Sequence, residues 1–197
     1  MSIKPILFNT EMVRAILNGR KTCTRRVVKH NTEKVLDSPY HMEHSEMEDA
    51  WLIRRLCRAP YEPGDILYVR ETFIQAAAHT FWYKADDKAW MSKDLLWKPS
   101  IHMPQEAARI WLKVTDVRVE RLHDITENGI KNEGIRLKQK DCVSKFDYIS
   151  ELYFLFSRLW DLTIKKSDID HYGWQANPYV FAIEFVKIDK PEEIKNS

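Results

Sequence analysis

The 197-residue sequence lacks the features that define several large protein classes. Its three cysteines are far apart and form no CxxC pair, so neither a zinc site nor a disulfide framework is predicted. No apolar run is long enough to cross a membrane, and no basic stretch followed by an apolar run stands at the N-terminus. We therefore expect no signal peptide, no membrane partner and a location in the reducing cytoplasm.

An excess of charge of one sign is also missing. The formal net charge is +2, so any surface that binds nucleic acid must be local rather than global. Glycine is scarce, with five residues, whereas Trp, Tyr and Phe make up 12% of the chain. Aromatic side chains build cores, and they also stack on nucleobases. A chain of this length can bury a sizeable core without disulfides or metals.

Hydrophobic periodicity predicts a mixture of short strands and a few helices. Strands are expected at 3–8, 21–28, 66–72, 81–84, 109–122 and 179–188. Within 109–122 the apolar positions change face near Thr115 and Asp116, which indicates a β-bulge or a sharp bend. A bending strand among short strands and helices predicts an α+β fold, a small β-barrel decorated by helices.

Capping patterns predict where the helices begin and end. Thr10 is expected to cap a first helix, which Gly19 ends in the left-handed conformation. Thr126 caps a short helix that ends near Glu133, and Ser144 begins a longer one that runs to about residue 162. The buried face of the longer helix is expected to comprise Phe146, Ile149, Leu152, Tyr153, Phe156 and Trp160.

The chain is expected to form a single domain over residues 1–188, followed by a polar tail at 189–197. Two segments, 29–58 and 85–107, are predicted to be insertions between core elements. The first carries His41, Glu43 and His44, which are metal-ligating residue types within one short segment with no further partner in view. A solvated loop is the better interpretation, and no metal is predicted.

Residues 19–26, with the sequence Gly-Arg-Lys-Thr-Cys-Thr-Arg-Arg, form the first candidate site. Their four cations could grip a phosphate, or Lys21 could activate the hydroxyl group of Thr24. In extended backbone, Thr24 and Arg26 project to one side and Lys21 to the other. A contact between Lys21 and Thr24 therefore requires a bend after Gly19 or a lysine stem that wraps round the strand. A solvated basic strand near a helix C-terminus is the alternative.

Three further groups of residues are candidates. Arg70 and Glu71 adjoin on a strand, so one of them faces the less solvated side, in a barrel mouth or a core ion pair. Glu133 ends a helix, where the dipole disfavours a carboxylate and would suit a general acid; a solvated glutamate is the alternative. Trp174 and Asn177 lie in a loop that could stack on a base and bind its edge, or could equally be a packed turn.

Together these segments resemble the ASCH family. The matching pieces are residues 19–26, 63–72, 125–134 and 174–185, in the expected order over most of the chain. The resemblance is to the longer ASCH proteins that phages and prophages often encode, and it implies a PUA-like β-barrel. The segments at 29–58 and 85–107 have no counterpart in the short bacterial members.

Some short ASCH proteins are amidohydrolases that remove the acyl group from N4-acetylcytidine and related nucleosides. The resemblance assigns their catalytic residues to Lys21, Thr24 and Glu133. Lys21 would take the proton from Thr24, which attacks the amide carbonyl, and Glu133 would assist proton transfer to the leaving amine, with no cofactor.

Other ASCH proteins bind or cleave RNA, so the resemblance leaves the reaction open. The leading hypothesis is an amidohydrolase acting on an N4-acylated cytidine. The second is an RNA-binding module or ribonuclease, and the third is a non-catalytic phage accessory protein. The expected partner is a modified nucleoside or RNA, and its contacts are assigned to Arg20, Thr22, Arg26, Arg70, Glu71, Trp174 and Asn177.

Overall fold

The structure, a computed structural model, describes residues 2–29, 32–38, 48–86, 95–137 and 144–192. The predicted solvated loop with His41, Glu43 and His44 lies outside these ranges. Among the described residues, no helix has both the length and the apolar character that crossing a membrane requires.

Seven strands and six α-helices are present in the described ranges. The strands are β1 (Ile3–Leu7), β2 (Cys23–Val27), β3 (Ile66–Arg70), β4 (Phe73–Ala77), β5 (Thr80–Tyr83), β6 (Trp111–Arg121) and β7 (Tyr179–Ile188). The helices are α1 (Thr10–Leu17), α2 (Thr32–Leu36), α3 (Asp49–Leu56), α4 (Glu127–Asn132), α5 (Lys145–Thr163) and α6 (Ile169–Tyr172). Short 3-10 helices occur at Lys84–Asp86, Ser100–His102, Gln105–Ala107, Leu122–Asp124, Lys166–Asp168 and Trp174–Ala176.

The predicted α+β class is confirmed. Five strands form a mixed sheet in the order β1-β3-β6-β7-β2. Strands β4 and β5 form a separate hairpin, of which only β5 was predicted, at 81–84. The described strands leave the sheet open, with β1 and β2 at the two ends of the order. A closed PUA-like barrel is therefore not confirmed.

The chain divides into two compact units, each assembled from separate stretches of sequence. The first unit comprises Met1–Thr22, Pro63–Thr115 and Phe185–Ser197, and the second comprises Cys23–Glu62 and Asp116–Glu184. Both β6 and β7 continue from one unit into the other. The expectation of a single domain over 1–188 stays a prediction.

In the first unit, β1 pairs in parallel with β3, and β3 pairs antiparallel with the beginning of β6. The core around these strands contains Ile66, Phe73 and Trp111 together with Met103 and Ala107. The last two residues belong to the segment predicted as an insertion, and both are buried. Helix α1 is capped by Asn9, whose side chain accepts the Met12 N–H, and not by Thr10 as predicted.

In the second unit, β2 pairs antiparallel with β7, and helices α4 and α5 cover one side of the core. Thr126 and Ser144 cap these helices as predicted, because their side chains accept the N–H groups of Gly129 and Asp147. The core contains Leu122, Ile125, Ile130, Leu152, Phe156, Trp160 and Val180. The prediction that Phe146 is buried is wrong: it is 77% exposed, because it stands in the first turn of α5, beyond the reach of this core.

Candidate functional site

Strand β2 carries the candidate residues of the second unit, and its register with β7 determines which side chains are neighbours. Thr24 lies opposite Ile183, and Arg26 lies opposite Phe181. Residues directly opposite each other in an antiparallel pair project to the same face, and alternate residues along a strand share that face. Thr24, Arg26 and Phe181 therefore occupy one face of the β2–β7 pair, whereas Cys23 and Arg25 occupy the other.

A pocket of about 290 Å³ opens beside Arg26 and Phe181. Its lining comprises Arg26, Val27, Lys29, Arg58, Pro60, Tyr61 and Phe181, all of which belong to the second unit. Among the described residues of this lining, three are cations, two are aromatic and none is acidic. The pocket thus combines apolar walls with positive charge.

The segment that follows α3 supplies the far wall of this pocket. Helix α3 ends at Cys57, whose backbone is extended. Pro60 also favours an extended residue before it. Cys57 and Ala59 are buried while Arg58 and Pro60 are exposed, which is the alternation of an extended chain with one covered side. Burying Cys57 and Ala59 therefore turns Arg58 outward to the pocket.

The three cations of the pocket differ in their burial and in their electrostatic surroundings. Burial lowers the pKa of Arg26, while Tyr61 and the carboxylate of Glu133 act in the opposite direction. Burial also raises the pKa of Tyr61, and the Arg26 charge opposes that rise. Lys29 and Arg58 are exposed, and neither forms an ion pair with a residue in the described part of the chain. Such a lining suits an anion, and within the described ranges no three His, Cys, Asp or Glu side chains are placed to hold a metal ion.

The opposite face of β2 holds a buried ion-pair cluster around Arg25. The Arg25 side chain is 2% exposed, and its guanidinium lies 2.7 Å from Glu120 Oε1 and 3.2 Å from Glu133 Oε1. Burial alone would lower the pKa of Arg25, but the neighbouring carboxylates, with Glu133 first among them, raise it above its ordinary value. The Glu133 carboxylate favours the charged form of both Arg25 and Arg26, and so opposes the effect of burial on the pKa of each arginine.

The residues of the 19–26 segment are divided between the two units. Gly19 has a φ of +66°, as predicted, and Arg20 and Thr22 follow it in the first unit. Lys21 is buried there at 2% exposure, with its ammonium 5.5 Å from the centre of the Phe8 ring. Thr24 is equally buried, in the second unit. The assignment of Lys21 as the proton acceptor for Thr24 stays a prediction.

Arg70 and Glu71 differ sharply in their surroundings. Glu71 is 1% exposed and accepts hydrogen bonds from Arg109 Nε at 2.8 Å and from Arg109 Nη2 at 3.0 Å. Burial raises the pKa of Glu71, and Arg109 opposes the rise. Arg70 places its guanidinium carbon 5.8 Å from the Tyr68 ring centre, and its Nε is buried without a hydrogen-bond partner in the described structure. Of the two interpretations, the core ion pair fits Glu71.

Trp174 and Asn177 belong to a well-packed turn before β7. The Trp174 ring lies 4.3 Å from the His123 ring and meets Phe156 edge to face at 5.8 Å. Asn177 adopts a φ of +46°, and its side-chain oxygen accepts the His123 N–H at 2.8 Å. These contacts order the turn, and the assignment of both residues to ligand binding stays a prediction.

Sequence reasoning identified Arg26 but missed the other polar and aromatic residues of the pocket. Lys29, Arg58 and Tyr61 lie at or just beyond the edges of the segment predicted as an insertion, and Phe181 is an ordinary apolar residue of β7. The alternation of buried and exposed residues from Cys57 to Pro60 is the local signal that would have placed Arg58 on a surface.

No family model matches the chain, and no curated protein matches it. Three solved structures are similar to it at low identity, and two of them are as follows. One is a protein of the family-model DUF984 from Enterococcus faecalis V583, with 11% identity and a TM-score of 0.45, covering 100% of this chain and 82% of that one. The other is an ASCH domain from Lactobacillus crispatus JV V101, with 13% identity and a TM-score of 0.40, covering 96% of this chain and 81% of that one. An ASCH domain is thus among the structures that the chain is similar to.

Proposed function

We propose that this chain is a nucleoside- or RNA-directed protein of the PUA-like ASCH kind, acting in the cytoplasm, whose ligand enters the basic pocket beside β2. The observation that carries the proposal is the lining of that pocket, whose described residues join three cations to Tyr61 and Phe181 and include no carboxylate. Nucleotides and RNA present flat bases to aromatic side chains and phosphates to arginine and lysine.

The size of the pocket supports a ligand no larger than one nucleotide unit. Its volume of about 290 Å³ lies at the lower end of the range for small-molecule sites. A longer RNA would place a single residue in it and extend along the surface. The proposal therefore concerns recognition of one nucleoside at a time.

Within this proposal the leading reaction is hydrolysis of the amide bond of an N4-acylated cytidine. The position of Thr24 supports this reaction, because its buried hydroxyl group lies on the same face of the β2–β7 pair as the pocket residues Arg26 and Phe181. The Thr24 oxygen would attack the acyl carbon and form an ester, the cytosine amine would leave with a proton, and water would release the acid. The resemblance assigns the proton transfers to Lys21 and Glu133.

Incubation of the protein with N4-acetylcytidine, with chromatography for cytidine and acetate, tests the reaction. Replacing Thr24 by valine keeps the buried shape and removes the hydroxyl group, so turnover should fall at least about 100-fold. Thr24→Ser keeps a hydroxyl group and should retain measurable activity. Thr163→Val, at the end of α5, controls for the loss of a threonine hydroxyl elsewhere. Full activity in Thr24→Val would exclude Thr24 as the nucleophile.

RNA binding without hydrolysis is the second candidate, and the exposure of Lys29 and Arg58 at the pocket favours it. It predicts that a single-stranded RNA binds with an affinity that falls steeply with salt while N4-acetylcytidine is left intact. Cleavage of the bound RNA would show that the protein is a ribonuclease and not only an RNA-binding module. Failure of both nucleosides and RNA to bind at low salt would refute the proposed function as a whole.

A further inference from the structure

We infer that the pocket prefers ligands that carry a phosphate group, so that a nucleotide unit binds more tightly than a free nucleoside. This inference rests on the proposed function and names its ligand class. The shared chemistry is a phosphate attached to a nucleoside, either as a 5′-monophosphate or as a phosphodiester within an RNA chain.

The positive charges that border the pocket favour a ligand with a phosphate group. Arg26, Lys29 and Arg58 border one small cavity, and none of the described residues that line it is acidic. In the described structure, Lys29 and Arg58 have no carboxylate partner. A neutral nucleoside would leave the charges of Lys29 and Arg58 uncompensated, whereas a phosphate with one or two negative charges would compensate much of them.

The position of the cations gives the second argument. Arg26 is half-buried on the floor, directly opposite Phe181 in the strand register, while Lys29 and Arg58 are exposed at the rim. Phe181 is 2% exposed and Tyr61 is half-buried, so a planar base is offered the Tyr61 side of the cavity and a phosphate is offered the rim. Exposed cations can gather around a phosphate without a large desolvation cost.

The fixed geometry of the Arg58 segment gives the third argument. Cys57 and Ala59 are 1% and 5% exposed, so the backbone on both sides of Arg58 is anchored in the core. Only the arginine side chain has to be ordered when a ligand binds. A guanidinium on an anchored backbone is well suited to a bidentate contact with phosphate oxygens.

Three ligands of increasing phosphate content test the inference on the intact protein: cytidine, cytidine 5′-monophosphate, and a six-nucleotide cytidine RNA without terminal phosphates. Affinities are measured by calorimetry at two salt concentrations. We expect at least one of the phosphate-bearing ligands to bind about 10-fold or more tightly than cytidine. A preference for the monophosphate identifies a terminal phosphate as the source, and a preference for the RNA identifies the phosphodiester.

Two rim variants locate the contact. Arg58→Gln and Lys29→Gln should each weaken the binding of the phosphate-bearing ligand about 10-fold and weaken the binding of cytidine less than this. For the RNA, each should reduce the slope of log K against log salt by about 0.7. Arg55→Gln removes the same charge from an exposed position three residues away that does not line the pocket, and should change neither quantity.

The outcomes separate the inference from the function on which it depends. Equal affinities for all three ligands would overturn the phosphate preference while leaving nucleoside recognition standing. Unchanged phosphate binding in both rim variants would also overturn it, because the phosphate would then bind elsewhere. Binding of none of the three ligands would refute the proposed function itself.

Discussion

Replacing Arg109 by methionine would show how far the buried carboxylate of Glu71 depends on its partner. Glu71 is 1% exposed and receives two charge-assisted hydrogen bonds from Arg109, at 2.8 and 3.0 Å. Methionine retains part of the apolar stem and removes both donors. Burial already raises the pKa of Glu71 in the intact pair, so losing the guanidinium that opposes this effect must raise it further.

The expected loss depends on pH. Removing one partner of a buried ion pair costs about 3–5 kcal/mol. Protonation of Glu71 limits the charge contribution, because neutralising a carboxyl group of ordinary pKa near 4.3 costs about 1.4 kcal/mol per pH unit above that value. This limit is about 4.4 kcal/mol at pH 7.5 and about 1.6 kcal/mol at pH 5.5. The folded variant binds the proton more readily than the unfolded chain, so it should gain stability relative to wild type as the pH falls.

Urea unfolding followed by tryptophan fluorescence at pH 7.5 and pH 5.5 measures both quantities. Arg118→Met is the control, because its side chain is 41% exposed although it contacts three carboxylates, and its loss should stay below about 1 kcal/mol. Adding Glu71→Gln to the Arg109 variant should recover stability at pH 7.5. A loss below about 1 kcal/mol at pH 7.5, or one that does not change with pH, would refute this account of the Glu71 pair.

The remaining predictions concern the packing of the second unit. Gly173→Ala should lower the free energy of unfolding by about 2 kcal/mol, because the added Cβ would stand 2.5 Å from the carbonyl oxygen of Ile169. Thermal unfolding measures this loss against Ser167→Ala, an exposed change nearby, and equal midpoints would contradict it. Phe156→Ala should cost about 3–5 kcal/mol in urea unfolding, whereas Phe146→Ala should change stability by less than about 0.5 kcal/mol. Similar losses in the two phenylalanine variants would show that the exposed ring has a structural partner.

Local signals predicted much of the fold, because caps and strand phase are properties of neighbouring residues. Thr126 and Ser144 cap the helices they were expected to cap, and β7 has the bounds that its hydrophobic run indicates. Thr115 and Asp116 are two successive exposed residues of β6, as the predicted change of face requires. The prediction that Phe146 is buried was wrong because periodicity shows which side of a helix is apolar but does not show where the core beneath that side ends.

The candidate site was less predictable, because a pocket depends on residues that are distant in the chain. Arg26 stood out in a basic run, but Phe181 becomes its neighbour only through the register of β2 and β7. Arg58 and Tyr61 lie in or beside the segment predicted to be an insertion. Burial of Cys57 and Ala59 turns the side chain of Arg58 towards the cavity. Glu133 was expected from its helix-end position, but its ion pair with Arg25 could not be read from either helix or strand pattern.

The discontinuous make-up of the two units has a consequence for synthesis on the ribosome. The second unit ends at Glu184, whereas the first begins at Met1 and requires the stretch that starts at Phe185. Every residue of the second unit is therefore synthesised before the last stretch of the first. The Phe8 ring lies 6.2 Å from the Phe185 ring and the Thr22 carbonyl accepts the Phe185 N–H, so these two contacts of the earliest-made stretch can form only after every residue of the second unit has been synthesised.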